Sequence, residues 1–306
     1  MTQPHSWLIT GANGNLGKRL ITTLLGEPAN KVIAVVRSTA AQQVIQGLPL
    51  LEAQRDRLQI KVVDYTDVSA MREAAVGVSR VIHLVGILKE TKSARYIEAH
   101  EVSTQALLEA LDGGSVEHLT YLSILGSTPD SSNLCLASKG RAEELCLEST
   151  LPSCVLRVPM VLGEGDYASF ALFARSGRAL NFAFRASSKE QPIYAGDVVS
   201  AVIAGAQIKH AGALDLAGPE KLTQRELIHR SAQVMGNGTR VISIPVFVGM
   251  TLARVLTALL ANPPITPAML EVLDEDDDTD IAPAMQALGL DPLTGLDETL
   301  AAVFER

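Results

Sequence analysis

Apolar positions along the first 160 residues follow two alternating rhythms. Short unbroken runs rich in Val, Ile and Leu occur at Ser6–Thr10, Lys31–Val36, Leu58–Val63, Arg80–Val85, His118–Ser123 and Cys154–Val158. They lack the apolar–polar alternation of a half-exposed strand, so they predict strands covered on both faces. After the first run, Leu16, Leu20, Ile21, Leu24 and Leu25 recur at helical spacing. Similar helical patterns cover roughly Ala40–Gln46, Asp67–Ala75, Ala94–Leu111 and Cys135–Glu148. Strands alternating with helices predict a parallel sheet wound on both faces. Right-handed crossovers then bring every strand's C-terminal end to one edge, where ligands bind.

After Pro159 the rhythm breaks. Residues 163–195, rich in Gly, Ser and Ala with scattered aromatics, predict a long excursion over the sheet edge. Helix and strand resume at Asp197–Ile208 and Ala213–Leu216. Thr223 to Glu226 spells a capping box that opens a helix to about Met235. Val241–Ile244 predicts another strand, and the rest reads as helices, one opened by Thr266-Pro267. The expected α/β architecture has a doubly wound domain over 1–160 and a smaller mixed, mainly helical lobe over 161–306. The lobe is interleaved with the sheet through 197–216.

The longest apolar stretch, Val246–Ala261, is interrupted by Thr251, Arg254 and Thr257 and falls short of the ~20 residues that span a bilayer. Its single basic residue favours core or dimer packing over a membrane-surface helix, with a peripheral membrane or protein contact as the alternative. The acidic run Asp274–Asp278 with Asp280 reads as a solvated helix end, because it lacks the glycine and spacing of a calcium loop.

Composition narrows the classes. Hydrophobic residues make up 47% and charged residues 20% of 306, enough for a substantial globular core. A net charge of −8 without a Lys/Arg block argues against nucleic acid as a partner. Cys135, Cys146 and Cys154 lack metal-ligand spacing, so no metal is expected and reduced thiols in a cytosol are. The N-terminus runs into the first strand without a signal peptide, consistent with a cytoplasmic location.

The candidate chemistry gathers at the strand ends. Thr10 to Gly17 reads T-G-A-N-G-N-L-G. Gly11, Gly14 and Gly17 permit a tight turn and close backbone approach, so amides around Asn13, Asn15 and Leu16 can face a pyrophosphate. Strand two ends at Arg37, where an acidic residue would grip the ribose hydroxyls of NAD. A guanidinium there suits a 2′-phosphate, so NADP(H) is expected over NAD(H), a solvated Arg being the plain alternative. Lys18 and Arg19 on the first helix are expected to face solvent. Strand three ends Asp64-Tyr65: a carboxylate to accept from the adenine amine and a ring to pack on it, or a helix cap, for which Asp67 is better placed. Strand four ends Leu84-Val85-Gly86, which either leaves room for the adenosine ribose and diphosphate or simply turns the chain.

Further motifs follow in order across nearly the whole chain: V-V-D-Y-T-D, V-I-H-L-V-G-I-L, Y-L-S-I-L-G, S-K-G-R-A-E-E, L-R-V-P-M-V-L-G-E-G-D, P-I-Y-A-G-D-V and P-P-I-T-P-A-M-L-E-V-L. With the glycine turn they resemble the extended short-chain dehydrogenases/reductases of the atypical branch. Within it, the chain is most similar to the NADPH-binding accessory subunit of respiratory complex I and its bacterial stand-alone relatives. The resemblance implies a Rossmann-type fold, a Ser (here Ser123) that polarises a carbonyl, and a Lys (here Lys139) that holds the nicotinamide ribose. It also implies a proton-donating Tyr four residues before the Lys. That position is Cys135.

Four-residue spacing keeps Cys135 and Lys139 on one helix face. The sulfur stops about one ring short of a phenol oxygen, and Lys139 is expected to push the thiol towards thiolate, which has no proton to give. Tyr121 shares a strand face with Ser123 but should lie deeper, in the core. Tyr96, Tyr167 and Tyr194 stay open as substitutes. By resemblance, His100 matches a position where many extended members place Asn near the active site; a lone helical His is otherwise structural. Pro159 and Val161 fall where contact with the nicotinamide face is implied, and Asp197 is expected to cap its helix.

Two functions follow. One is a dinucleotide-binding structural, assembly or sensor protein whose turnover is compromised by the missing Tyr. The other is an NADPH-dependent oxidoreductase acting on a small or quinone- or lipid-like carbonyl through Ser123 and Lys139.

Overall fold

In the computed structural model, seven strands lie parallel in one sheet: β1 (Ser6–Thr10), β2 (Lys31–Val36), β3 (Leu58–Val62), β4 (Arg80–His83), β5 (His118–Ile124), β6 (Ser153–Val158) and β11 (Gly212–Asp215). Their spatial order is β11-β6-β5-β4-β1-β2-β3. The structure describes residues 5–91, 94–260, 267, 270–271 and 276–304. The order reverses beside β1, which opens a crevice between the strand ends where the chain winds first one way and then the other.

Period two in β1 explains why both faces are covered. Trp7 and Ile9 join Leu20, Ile21, Val198 and Val202 on one side, where α1 (Asn15–Gly26) and α8 (Ala195–Gln207) pack. Leu8 joins Val35, Met71, Leu107 and Cys146 on the other, against α4 (Val68–Ala74), α5 (Ser103–Leu111) and α6 (Leu134–Glu148). Two short helices, α2 (Thr39–Gln46) and α3 (Glu52–Arg55), link β2 to β3. Ser38 caps α2, and Asp67, not Asp64, caps α4.

Beyond β6 the chain is more ordered than the predicted excursion. It forms β7 (Val161–Leu162), α7 (Tyr167–Ser176), β8 (Leu180–Phe184), β9 (Lys189–Glu190) and β10 (Ile193–Tyr194) before α8. After β11 come β12 (Leu222–Thr223), α9 (Gln224–Val234), β13 (Arg240–Ile244), α10 (Val246–Leu259) and two terminal helices, Ala282–Leu288 and Leu296–Phe304. The Thr223–Glu226 capping box forms as expected. Leu162, Leu172, Leu227, Ile228, Leu300 and Phe304 make a separate small core for these elements.

Four expectations change. Asp197 does not cap α8, which starts two residues earlier; its carboxylate accepts from Thr294 N and Oγ1 at 2.8 and 3.0 Å, tying down the C-terminal segment. Within the acidic run, Asp276 pairs with Arg185, and Asp278 with Lys189 and Lys221, so these residues act as a clamp; Asp274 and Glu275 lie outside the described residues. So does Thr266. The helix predicted from Ala94 begins at Tyr96 and widens to a π turn over Glu98–Val102. There Ser103 and Thr104 donate back to the carbonyls of Ala99 and His100. Lastly, α10 is not core: of its residues only Gly249 and Ala253 are buried.

Candidate functional site

Glycines shape the first strand end because nothing larger fits. Gly11 has φ 69°, in the left-handed region, and a Cβ there would lie 3.1 Å from the carbonyl carbon of Leu84. A Cβ on Gly17 would lie 2.5 Å from Ala12 O, so α1 can approach its own turn this closely only with glycine. Gly14 is the N-cap of α1, and no side chain caps the first turn. That leaves unpaired amides and the positive helix end available to an anion.

Tyr65 is buried at 5% exposure, and its hydroxyl accepts from Gly11 N at 3.0 Å and donates to Val35 O at 3.2 Å. It therefore braces the glycine turn from beneath, which is incompatible with lying open to an adenine ring. Arg37 is exposed and its guanidinium lies 5.7 Å from the Tyr65 ring centre. Asp64 is exposed too; hydrogen bonds from Thr66, with Arg37 adding charge, hold its carboxyl below the usual range.

Residues of the second lobe reach the same turn. Asn15 donates to Gly165 O at 2.8 Å and to Asp166 Oδ1 at 2.6 Å, and Arg19 pairs with Glu164, which also accepts from Tyr194. Arg19 is thus an anchor, not a free surface cation, and Asn15 spends its side chain on this clamp. Neither partner is signalled in the sequence, because the contacts join residues about 150 positions apart.

At the other end of the crevice, Gly86, His100, Cys135 and Lys139 come together. A Cβ on Gly86 would lie 3.0 Å from Lys139 Nζ and 3.4 Å from His100 Cδ2, so glycine makes room for both. Lys139 donates to Leu122 O at 3.0 Å, beside Ser123, and sits 4.5 Å from the Tyr121 ring centre. Burial lowers its pKa to about 8. Ser123 is buried within 3.4 Å of Ser127 Oγ. His100 Nε2 is 3.1 Å from both N and O of Ile87, while Nδ1 is buried without a partner among the described residues. Burial and then the charge of Lys139 hold this ring down to about 3, so it is neutral.

Cys135 reverses an expectation. Its thiol is buried, donates to Ile87 O at 3.6 Å, and is pushed up by burial to about 11 despite Lys139. Desolvation of the thiolate outweighs the attraction of the ammonium, so the group stays a thiol. Of the three open tyrosines, Tyr96 is the one the structure brings here. Its ring stacks on His100 at 5.6 Å, its hydroxyl donates to Leu88 O at 3.0 Å, and it lies against the Cys135 thiol closely enough for each to perturb the other. Tyr167 is 80% exposed and Tyr194 is engaged at Glu164. Tyr121 is fully buried, as expected.

Parallel strands place Gly11, Arg37, Asp64, Gly86, Ser123, Pro159 and Val161 at one edge, since each follows or closes a strand of the same sheet or, for Val161, opens β7 immediately after β6. Asn13 and Gly14 are exposed on the turn, Leu16 and Leu84 are half-buried, and Val85 is buried. Among the described residues, no group of His, Cys, Asp or Glu could hold a metal, and no helix is long and apolar enough to cross a membrane.

Fold and edge together define a Rossmann-type dinucleotide-binding protein. The chain belongs to the NAD(P)H-binding family, whose sequence profile matches residues 11–173. Solved structures similar across the whole fold include UDP-glucuronic acid 4-epimerase from Bacillus cereus in complex with UDP-glucuronic acid and NAD, 19% identical, covering 97% of each chain with TM-score 0.73. UDP-N-acetylglucosamine 4-epimerase from Bacillus cereus is 18% identical over 98% of each chain, with TM-score 0.72. A nucleoside-diphosphate-sugar epimerase from Staphylococcus aureus is 15% identical over 97% of this chain and 99% of its own, with TM-score 0.74.

Proposed function

We propose that this protein binds NADP(H) along the sheet edge and serves mainly as a dinucleotide-dependent structural, assembly or sensor protein, with Tyr-dependent turnover lost. The observation that carries the reading is the Cys135 thiol: buried, protonated and spent on Ile87 O where a phenol would stand. The uncapped amides of α1 hold the pyrophosphate, with Gly11 and Gly17 allowing the approach. Arg37 faces the 2′-phosphate and Asp64 the adenine, while Leu84, Val85 and Gly86 border the adenosine ribose and diphosphate. Lys139 takes the nicotinamide ribose, and Pro159 and Val161 border the nicotinamide. When bound, the dinucleotide supplies a hydride donor or acceptor. The assembly role agrees with the resemblance to the complex I accessory subunit branch.

The test is mass spectrometry of the nucleotide that co-purifies, followed by NADPH oxidation with a panel of carbonyl compounds by wild type and Cys135→Tyr. NADP(H) in the preparation, silent wild type and turnover by the variant are expected. Turnover by wild type at rates typical of reductases overturns the reading.

Tyr96 favours a second reading, an active reductase whose phenol comes from the preceding helix. Delivery of a proton by a positioned group is worth about 10²–10⁴ in rate, so under that reading Tyr96→Phe lowers turnover by about that factor. Under the first reading it changes no rate.

A further inference from the structure

Among the described residues, the face formed by β8, β13 and α10 has no partner in the fold. Leu180, Phe182 and Phe184 point to one side of β8, and the parallel register sets Arg240, Ile242 and Ile244 beside them. Gly249 of α10 lies on Phe184, where a Cβ would come within 2.8 Å of the ring, so helix and strands share a continuous surface. Phe182 is 56% exposed on it. Along α10, Val248, Leu252, Val255 and Leu259 form an outward stripe at four-three-four spacing, flanked by Phe247 at 70% exposure. Such a contiguous apolar face marks an interaction surface.

Charge indicates what covers it. Residues 167–189 and 227–270 contain no Asp or Glu, although the chain has 34. Arg178, Arg240 and Arg254 are exposed around the apolar face, and among the described residues none of them forms an ion pair. A two-fold copy would set this cationic rim against itself, and the described carboxylate at the end of β8, Asp276, is already paired with Arg185. An anionic lipid surface answers both features at once, taking the aromatic and aliphatic side chains into the headgroup boundary and pairing the arginines with phosphates.

We propose that this protein docks on anionic phospholipid bilayers through the outer face of α10 and β8–β13. The single basic residue within α10 is a poor guide, because the other cations come from β13 and from the segment before β8. No residue of the face belongs to the dinucleotide site, so docking stands or falls apart from nucleotide binding.

The experiment is co-sedimentation of the full chain with extruded vesicles of phosphatidylcholine alone and of phosphatidylcholine with one-third phosphatidylglycerol. Wild type should pellet with the anionic vesicles, and high salt should release it. Arg240→Gln with Arg254→Gln should lower the partition coefficient roughly 30-fold. Leu252→Asp, an exposed position, should abolish binding while leaving NADPH affinity and the thermal midpoint unchanged. Failure of wild type to bind anionic vesicles overturns the proposal. So does a Leu252→Asp variant that binds as wild type, or one whose only effect is to split a dimer seen by light scattering.

Discussion

Replacing Lys139 by Met should make the protein more stable while weakening its grip on nucleotide. The ammonium is 5% exposed, and burial takes its pKa from the ordinary 10.5 to about 8. At 1.36 kcal/mol per tenfold change in proton affinity, keeping it charged at pH 7 costs about 3 kcal/mol of folding free energy. Met fills similar volume without charge, but Leu122 O then loses its donor, a loss of about 1–2 kcal/mol. The net gain at pH 7 is about 1–2 kcal/mol, or roughly 2–3 °C in thermal midpoint for a chain of this length.

The difference between wild type and variant isolates this group, because the other titrating groups, the cysteines included, are common to both. Between about pH 8 and 10.5 the unfolded chain still binds the Lys139 proton while the native protein has released it. The Lys139 contribution to stability therefore rises with pH across that window, and the advantage of the variant over wild type shrinks. Denaturant titrations at pH 7, 8, 9 and 10 read this directly, because Trp7, the one tryptophan, is fully buried and reports unfolding by fluorescence. A variant less stable than wild type at pH 7, or an advantage constant with pH, refutes the reasoning.

Arg37→Ala should weaken NADPH by about 1.5–3 kcal/mol and leave NADH nearly unchanged, since one charge-assisted contact is lost; equal losses in calorimetric titrations would remove the phosphate assignment. Burial pushes Cys135 up to about 11 and Cys146 and Cys154 to about 12, so a disulfide reagent at pH 8 should label none of the three in the native protein and all three in denaturant. Rapid labelling of Cys135 in the native protein, located by peptide mass mapping, would contradict its assigned protonated state. Glu190 is buried and its pKa is raised by burial to about 8, so the native protein holds a proton that the unfolded chain releases near 4.5. The Glu190 contribution to stability should fall as pH rises between those values, and Glu190→Gln should gain on wild type across that window in the same denaturant titrations.

The strand–helix rhythm of the first 160 residues was legible because buried parallel strands and amphipathic helices write different periods into a sequence. The strand ends, and with them Gly11, Arg37, Asp64 and Gly86, could be placed before any coordinates. Contacts made across long sequence separations could not. Tyr65 looked like a ligand platform because it follows a strand, yet its hydroxyl is consumed by Gly11 and Val35. For Cys135 the nearby cation was visible in the i, i+4 spacing, but the desolvation that outweighs it was not. The segment before α8 hid a helix and three strands among small residues, whose patterning is weak. In α10, apolar content suggested burial, and only the packing shows a helix resting on glycine and alanine with its larger side chains outward.

The clamp on α1 has a mechanical consequence. Asn15 and Arg19 sit one turn apart on α1, whose first amides we assign to the phosphates, and both are fastened to residues 164–166. Swinging the C-terminal elements away from the sheet would pull on that helix at its N-terminal end. A ligand that stiffens the glycine turn therefore also stiffens the tie between α1 and residues 164–166. In this way occupancy of the crevice can be felt by surfaces far from it without any bond being made or broken in the nucleotide.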